Sequence, residues 1–179
     1  MHEQVEKILI TEEEIAKRIE EIAEVLNARF KGEEVLAVCV LTGSVMFYTD
    51  LLRKLNFPLE LNFLKVSSYG SGSVSGELKV VMDLKTDIKD KNVIIVEDIV
   101  DTGNTIKKIK DMLGERKPKC LEICALLDKP SRRTCDISAD YVGFEIPDEF
   151  VVGYGLDYDE HFRELPYVGV LKRSYYENN

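Results

Sequence analysis

Three carboxylates and two threonines stand in a short fixed order, Glu97, Asp98, Asp101, Thr102 and Thr105. They lie inside Val93-Ile94-Ile95-Val96-Glu97-Asp98-Ile99-Val100-Asp101-Thr102-Gly103-Asn104-Thr105-Ile106. Adjacent Glu97 and Asp98 can accept hydrogen bonds from two neighbouring hydroxyls, such as those of a sugar, or face a hard cation. Asp101 adds a third carboxylate. The Thr102-Gly103-Asn104-Thr105 turn opens a helix, and free N–H groups at a helix start form a ready phosphate cradle. The segment thus offers grips for a sugar, a phosphate and a metal. A solvated acidic strand end is the ordinary reading of one or two carboxylates. The ordered run of apolar strand, three carboxylates and Thr-Gly-Asn-Thr argues against it.

Such a turn needs a scaffold that carries several strand ends to one edge. Val5–Ile10 alternates as a short strand, and Thr11 with Glu14 forms a capping box. Ile15, Ile19, Ile22, Ala23 and Leu26 recur at helical spacing, which predicts a helix over Thr11–Phe30. Val35–Leu41 is almost wholly apolar, as a strand buried on both faces should be. Val45–Leu55 then reads as a helix, and Leu59–Val66 and Leu78–Leu84 as a long hairpin. Asn92–Val96 and Cys120–Leu127 are further buried strands, with a helix near Thr105–Leu113 between them. Strands alternating with helices predict an α/β fold, a mostly parallel twisted sheet flanked by helices. Short strands at Tyr141–Ile146, Phe150–Tyr154 and Tyr167–Leu171 suggest a small C-terminal hood. The whole of 1–179 reads as a single domain, its core about 11–127 and its hood 128–179 plus residues 1–10.

Leu41-Thr42-Gly43-Ser44 follows an earlier strand and would reach the same sheet edge, where a Gly-containing turn can aim N–H groups at an anion. As a lone motif it is equally a tight connection. Ser67-Ser68-Tyr69-Gly70-Ser71-Gly72-Ser73 is a Ser- and Gly-rich loop. Its glycines do not make a dinucleotide fingerprint, because the sixth position is Ser75 and a strand follows.

The stretch from Val96 to Thr105 resembles the phosphoribosyl-pyrophosphate-binding signature of type I phosphoribosyltransferases, nearest the hypoxanthine–guanine branch. Val142-Gly143-Phe144-Glu145-Ile146-Pro147-Asp148-Glu149-Phe150-Val151-Val152-Gly153-Tyr154-Gly155-Leu156-Asp157-Tyr158 resembles the base-binding hood of that branch. The likeness runs from about Ile8 to Leu171. It implies that Glu97 and Asp98 hold the ribose hydroxyls and help place magnesium. Thr102, Gly103, Asn104 and Thr105 would bind the 5′-phosphate, and Asp101 would be the general base. Leu41, Thr42 and Gly43 would form the pyrophosphate loop, which in the family often carries a strained or cis peptide. Ser67–Gly76 would be the flexible catalytic loop, with Ser68 and Tyr69 at the substrate. Lys129 would donate to the purine 6-oxo group, Phe150 would stack on the base, and Val151 and Asp157 would meet its edge. Ile99 would join these substrate contacts. The Asp157 side chain would face a second magnesium through water, and Arg163 the pyrophosphate. Thr42 departs from the Lys or Arg of many relatives, as Asn104 does from the Lys of some.

The resemblance implies purine salvage: hypoxanthine or guanine plus phosphoribosyl pyrophosphate gives IMP or GMP and pyrophosphate, with Mg2+, in a homodimer or homotetramer. Xanthine differs only at C2 and stays open as the base. A phosphoribosyl-pyrophosphate-sensing regulator without catalysis is the alternative from another class. Net charge is −9 and pI ≈ 4.9, which disfavours a nucleic-acid partner. Lys107-Lys108-Lys110 reads as a solvated helix face, and Lys129 with Arg132-Arg133 is the other basic cluster. No apolar run is long enough for a membrane span, and the start Met1-His2-Glu3-Gln4 lacks signal-peptide character, so a cytoplasmic protein is expected. Cys39, Cys120, Cys124 and Cys135 include no Cys-x-x-Cys pair, and with only His2 and His161 they suggest neither a zinc site nor a disulfide.

Overall fold

The computed structural model describes residues 1–68 and 78–176. Tyr69 and the rest of the expected loop through Gly76 lie outside the described residues. Chain order begins with strand β1 (Val5–Ile10), helix α1 (Glu12–Arg29), β2 (Val35–Leu41), α2 (Val45–Leu52), β3 (Leu59–Ser68) and β4 (Leu78–Met82). It continues through β5 (Asn92–Val100), α3 (Asn104–Gly114), β6 (Cys120–Asp128), β7 (Tyr141–Glu145), β8 (Val151–Val152), β9 (Val168–Leu171) and α4 (Arg173–Tyr176).

The capping box at Thr11 forms as its sequence dictates: Glu14 N donates to Thr11 Oγ1 at 3.2 Å, and Thr11 N donates to Glu14 Oε2 at 2.8 Å. From there α1 buries Ile15, Ile19, Ile22, Ala23 and Leu26. These meet alternate residues of the strands, Ala37 and Cys39 of β2 and Ile94 and Val96 of β5, together with Phe47 and Leu51 of α2. The residues between them point the other way. Leu36, Val38, Val93 and Ile95 pack with Ile106, Ile109 and Leu113 of α3. Strands read as continuous apolar runs are thus sandwiched between two helical layers.

The six-stranded sheet has the order β4-β3-β2-β5-β6-β7, parallel except for β4, which returns antiparallel beside β3. A three-stranded antiparallel sheet, β1-β9-β8, joins the chain's first strand to its last two. Several elements differ from the sequence reading. β5 does not stop at Val96 but runs to Val100, because β6 continues beside it with Glu97 opposite Ala125 and Ile99 opposite Leu127. β7, expected in the hood, is instead the edge strand of the large sheet, paired with β6. β8 is cut from the expected Phe150–Tyr154 to Val151–Val152, because Gly153 and Tyr154 turn to φ 98° and 49°. α2 ends at Leu52 rather than Leu55.

Candidate active site

β2 pairs with β5 only as far as Cys39 beside Val96. Beyond that point one edge of β5 is free, and there Glu97 and Asp98 stand. Glu97 is buried, and its Oε1 accepts from Asp98 N at 3.1 Å, while Asp98 Oδ1 accepts from Ile99 N at 2.7 Å. Burial and the adjoining Asp98 charge hold the Glu97 carboxyl well above the usual carboxylate range. Burial likewise raises Asp98, against the opposing pull of its hydrogen bonds and of the Arg163 guanidinium.

The turn after β2 lies directly on this pair. A Cβ at Gly43 would sit 1.6 Å from Asp98 Oδ2, and one at Gly155, where φ is 101°, would sit 1.9 Å from Gly43 O. Only glycines allow the turn, the diacid and the segment after β8 to close to this distance. The Leu41–Thr42 peptide is cis, and Val45 N donates to Thr42 O at 3.3 Å.

After Val100 the chain leaves the sheet as Asp101-Thr102-Gly103 and enters α3. Gly103 caps α3 without any side-chain hydrogen bond. Asn104 N reaches Thr102 Oγ1 at 3.4 Å, and Asn104 Nδ2 donates to Thr134 Oγ1 at 3.1 Å. Glu97, Asp98, Asp101, Thr102, Gly103 and Thr105 all line one cleft of about 260 Å3. A helix start aimed into a cleft beside two carboxylates suits a phosphate attached to a hydroxylated sugar.

Asp101 lines a second cleft as well, of about 380 Å3, with Ile99, Lys129, Phe150, Val151 and Leu156. Lys129 follows the end of β6. It is buried, with Nζ donating to Glu149 O at 2.7 Å. Burial lowers its pKa below the usual lysine range, against the raising effect of the Asp101 carboxylate. Phe150 is half-exposed at the cleft, and Val151 is buried in β8. Two arginines just past Lys129 hold Asp101 from both ends. Arg132 Nε lies 2.7 Å from Asp101 Oδ1, a charge contact rather than an aligned hydrogen bond, and Arg133 Nη1 donates to Asp101 O at 2.5 Å. The sequence offered these arginines only as a basic cluster. Their spacing after Lys129 was the available signal, and it needed the 3-10 turn Pro130–Arg132 to become a clamp.

Asp157 and Arg163 meet each other at 2.9 Å, and Arg163 also binds Glu160 Oε2 at 2.9 Å and Gly155 O at 2.8 Å. Arg163 Nε is buried with no hydrogen-bond partner. Among the described residues no three His, Cys, Asp or Glu side chains converge as a metal set. Glu97 and Asp98 are adjoining carboxylates, Glu97 Oε1 accepting from Asp98 N. That pair by itself fits magnesium, which is held by one or two carboxylates and completes its shell with water and substrate phosphate. Ser68 closes β3 at the edge of the described residues.

Fold and clefts together define an α/β protein with two adjoining clefts beyond its strand ends, one of them lined by adjacent carboxylates and a helix start. Residues 5–159 match the family model of the phosphoribosyl transferase domain. The chain is 47% identical over 179 residues to the hypoxanthine-guanine phosphoribosyltransferase of Bacillus subtilis, covering 99% of each. A solved hypoxanthine phosphoribosyltransferase of Trypanosoma cruzi, in complex with the product IMP, superposes with TM-score 0.93 at 43% identity, over 98% of this chain and 99% of that one. The bifunctional protein TilS/HprT of Listeria innocua is 47% identical over 177 residues, and there the chain spans only 27% of the relative's length. This chain belongs to the phosphoribosyltransferase family, in its hypoxanthine–guanine branch.

Proposed function

We propose that the chain transfers the 5-phosphoribosyl group of phosphoribosyl pyrophosphate to hypoxanthine or guanine, releasing pyrophosphate with IMP or GMP. The observation that carries this reading is the position of Asp101, a carboxylate shared by the sugar-phosphate cleft and the base cleft. There it can take the N9 proton of the base as N9 bonds to C1′ and the bond from C1′ to pyrophosphate breaks. Glu97 and Asp98 accept the ribose hydroxyls, and the turn Thr102–Thr105 binds the 5′-phosphate through its amides. Leu41, Thr42 and Gly43 present backbone donors to the leaving group, and Arg163 assists with the guanidinium whose Nε lacks a partner. Lys129 exchanges its Glu149 carbonyl for the purine 6-oxo group. An ammonium only donates, so adenine's amino group is rejected. Val151 and Asp157 meet the base edge, Phe150 stacks on it, and Ile99 lines the same cleft. Ser68, the last residue of β3, and Tyr69 would meet the substrate in this reading.

Magnesium held through Glu97 and Asp98, with a second ion faced by Asp157 through water, would supply positive charge to the leaving pyrophosphate. A second copy of the chain is the proposed partner. Leu61, Phe63, Val81 and Met82 expose apolar side chains on β3 and β4, a surface suited to self-association in a homodimer or homotetramer. Four free cysteines fit a reducing, cytoplasmic setting.

The deciding experiment offers hypoxanthine, guanine, xanthine and adenine in competition, with phosphoribosyl pyrophosphate and Mg2+. Formation of IMP and GMP in preference to XMP and AMP is expected. Binding of phosphoribosyl pyrophosphate with no nucleotide formed would make the chain a sensor and sink the enzyme reading.

A further inference from the structure

Phe150 lies between β7 and β8, where its side chain is fixed by neither ladder. Its carbonyl accepts from Leu171 N at 2.9 Å, but the residue is 39% exposed. Two tyrosines from distant parts of the chain bracket its ring. Tyr176, at the end of α4, stacks on one face with centroids 4.9 Å apart and planes 25° from parallel. Tyr158 meets the ring edge-on at 5.7 Å and 81°. The bracket is itself anchored. Tyr175 packs edge-on against Tyr158 at 5.8 Å and Phe162 at 5.9 Å, and Lys172 N donates to Gln4 O at 3.0 Å. A helix of 4 residues has too few hydrogen bonds to persist by propensity, so these ring contacts hold α4 in place. Tyr176 and Phe150 line the same cleft as Lys129 and Asp101.

We propose that Tyr176 is a positioning residue for base binding: it backs the Phe150 ring and so fixes the orientation in which that ring meets the purine. The inference rests on the assignment of this cleft to the base. A ring already immobilised gives up less freedom when a base stacks on it than a free ring would. Tyr176 brings no group to the reacting atoms, so its effect falls on binding of the base and not on the chemical step.

Steady-state kinetics of Tyr176→Ala and Tyr176→Phe against the unaltered chain test this. Tyr176→Ala is expected to raise KM for hypoxanthine and guanine about threefold to tenfold, the range of one stacked aromatic pair. KM for phosphoribosyl pyrophosphate and kcat should hold, and Tyr176→Phe, which keeps the ring, should restore the base KM. An unchanged base KM overturns the proposal. So does a lowered one, which would mean that Tyr176 competes for the base's place. Equal rises for both substrates, or no recovery in Tyr176→Phe, would reduce Tyr176 to a general structural role and also overturn it. An unaltered chain that forms no nucleotide would instead overturn the underlying function, and the proposal with it.

Discussion

The two clefts that share Asp101 are built in opposite ways. The cleft proposed for the sugar phosphate is lined by one contiguous stretch, Glu97 to Ile106, running from a strand end through a turn into a helix. The cleft proposed for the base gathers Ile99, Lys129, Phe150 and Leu156, with Tyr176 from the chain's last described turn. In the first, backbone geometry sets the site: the β6 ladder holds the diacid and α3 supplies the amides. In the second, orientation depends on side chains packed across the hood, such as the aromatic bracket on Phe150. A backbone site tolerates little change, whereas an assembled site can be retuned residue by residue. In the proposed function, recognition of the phosphoribosyl donor and choice of base would thereby be separated.

That separation can be attacked first at Asp101, where the clefts join. Asp101→Asn should lower kcat about 10²–10⁴-fold while barely changing phosphoribosyl-pyrophosphate affinity in a direct binding measurement. Equal losses in both would mean that the carboxylate binds rather than moves a proton. In the contiguous cleft, Gly43→Ala must displace Asp98, since the new Cβ would lie 1.6 Å from its Oδ2. A misplacement of that order costs about 10²-fold in activity, seen with hypoxanthine and guanine alike. A loss confined to one base would break the division between the two regions.

The assembled cleft should respond differently. Lys129→Ala removes a charged hydrogen-bond donor, worth about 1.5–3 kcal/mol of discrimination, and should erode preference for 6-oxopurines over adenine while sparing the phosphoribosyl donor. Unchanged selectivity would release Lys129 from that role. The pH profile sharpens the same point. In the proposed role Lys129 would select only when protonated, and burial lowers its pKa. Selectivity is therefore complete below that lowered value and lost as pH rises through it, at lower pH than an exposed lysine would give. Selectivity ratios measured across alkaline pH check the sign. Smallest of all, Thr11→Ala breaks a capping box remote from both clefts and should cost about 1 kcal/mol in urea unfolding without altering kcat.

Legibility in the sequence follows the same division. The helix over residues 12–29, the buried strands and the acidic turn could be read because each is carried by local periodicity or by neighbours in the chain. The continuation of β5 through Glu97 and Asp98 could not, since only pairing with β6 keeps those polar residues in a strand. β7 was misassigned to the hood for a similar reason: a short strand does not declare which sheet will accept it. Arg132, Arg133 and Tyr176 were missed as site residues because nothing local distinguishes a clamp from a surface cation, or a supporting ring from a terminal tyrosine.

By itself the sequence determined the layered α/β scaffold and the order of carboxylates, glycine and threonines at one strand's exit, since spacing and side-chain type act over a few neighbouring residues. Tertiary structure alone decided that Gly155 would lie against Gly43 and Gly43 against Asp98, and that Arg132 would reach Asp101. It also decided that Tyr176 would stack on Phe150. Contacts between distant segments depend on how sheets and hood pack in three dimensions, and no local pattern encodes that distance.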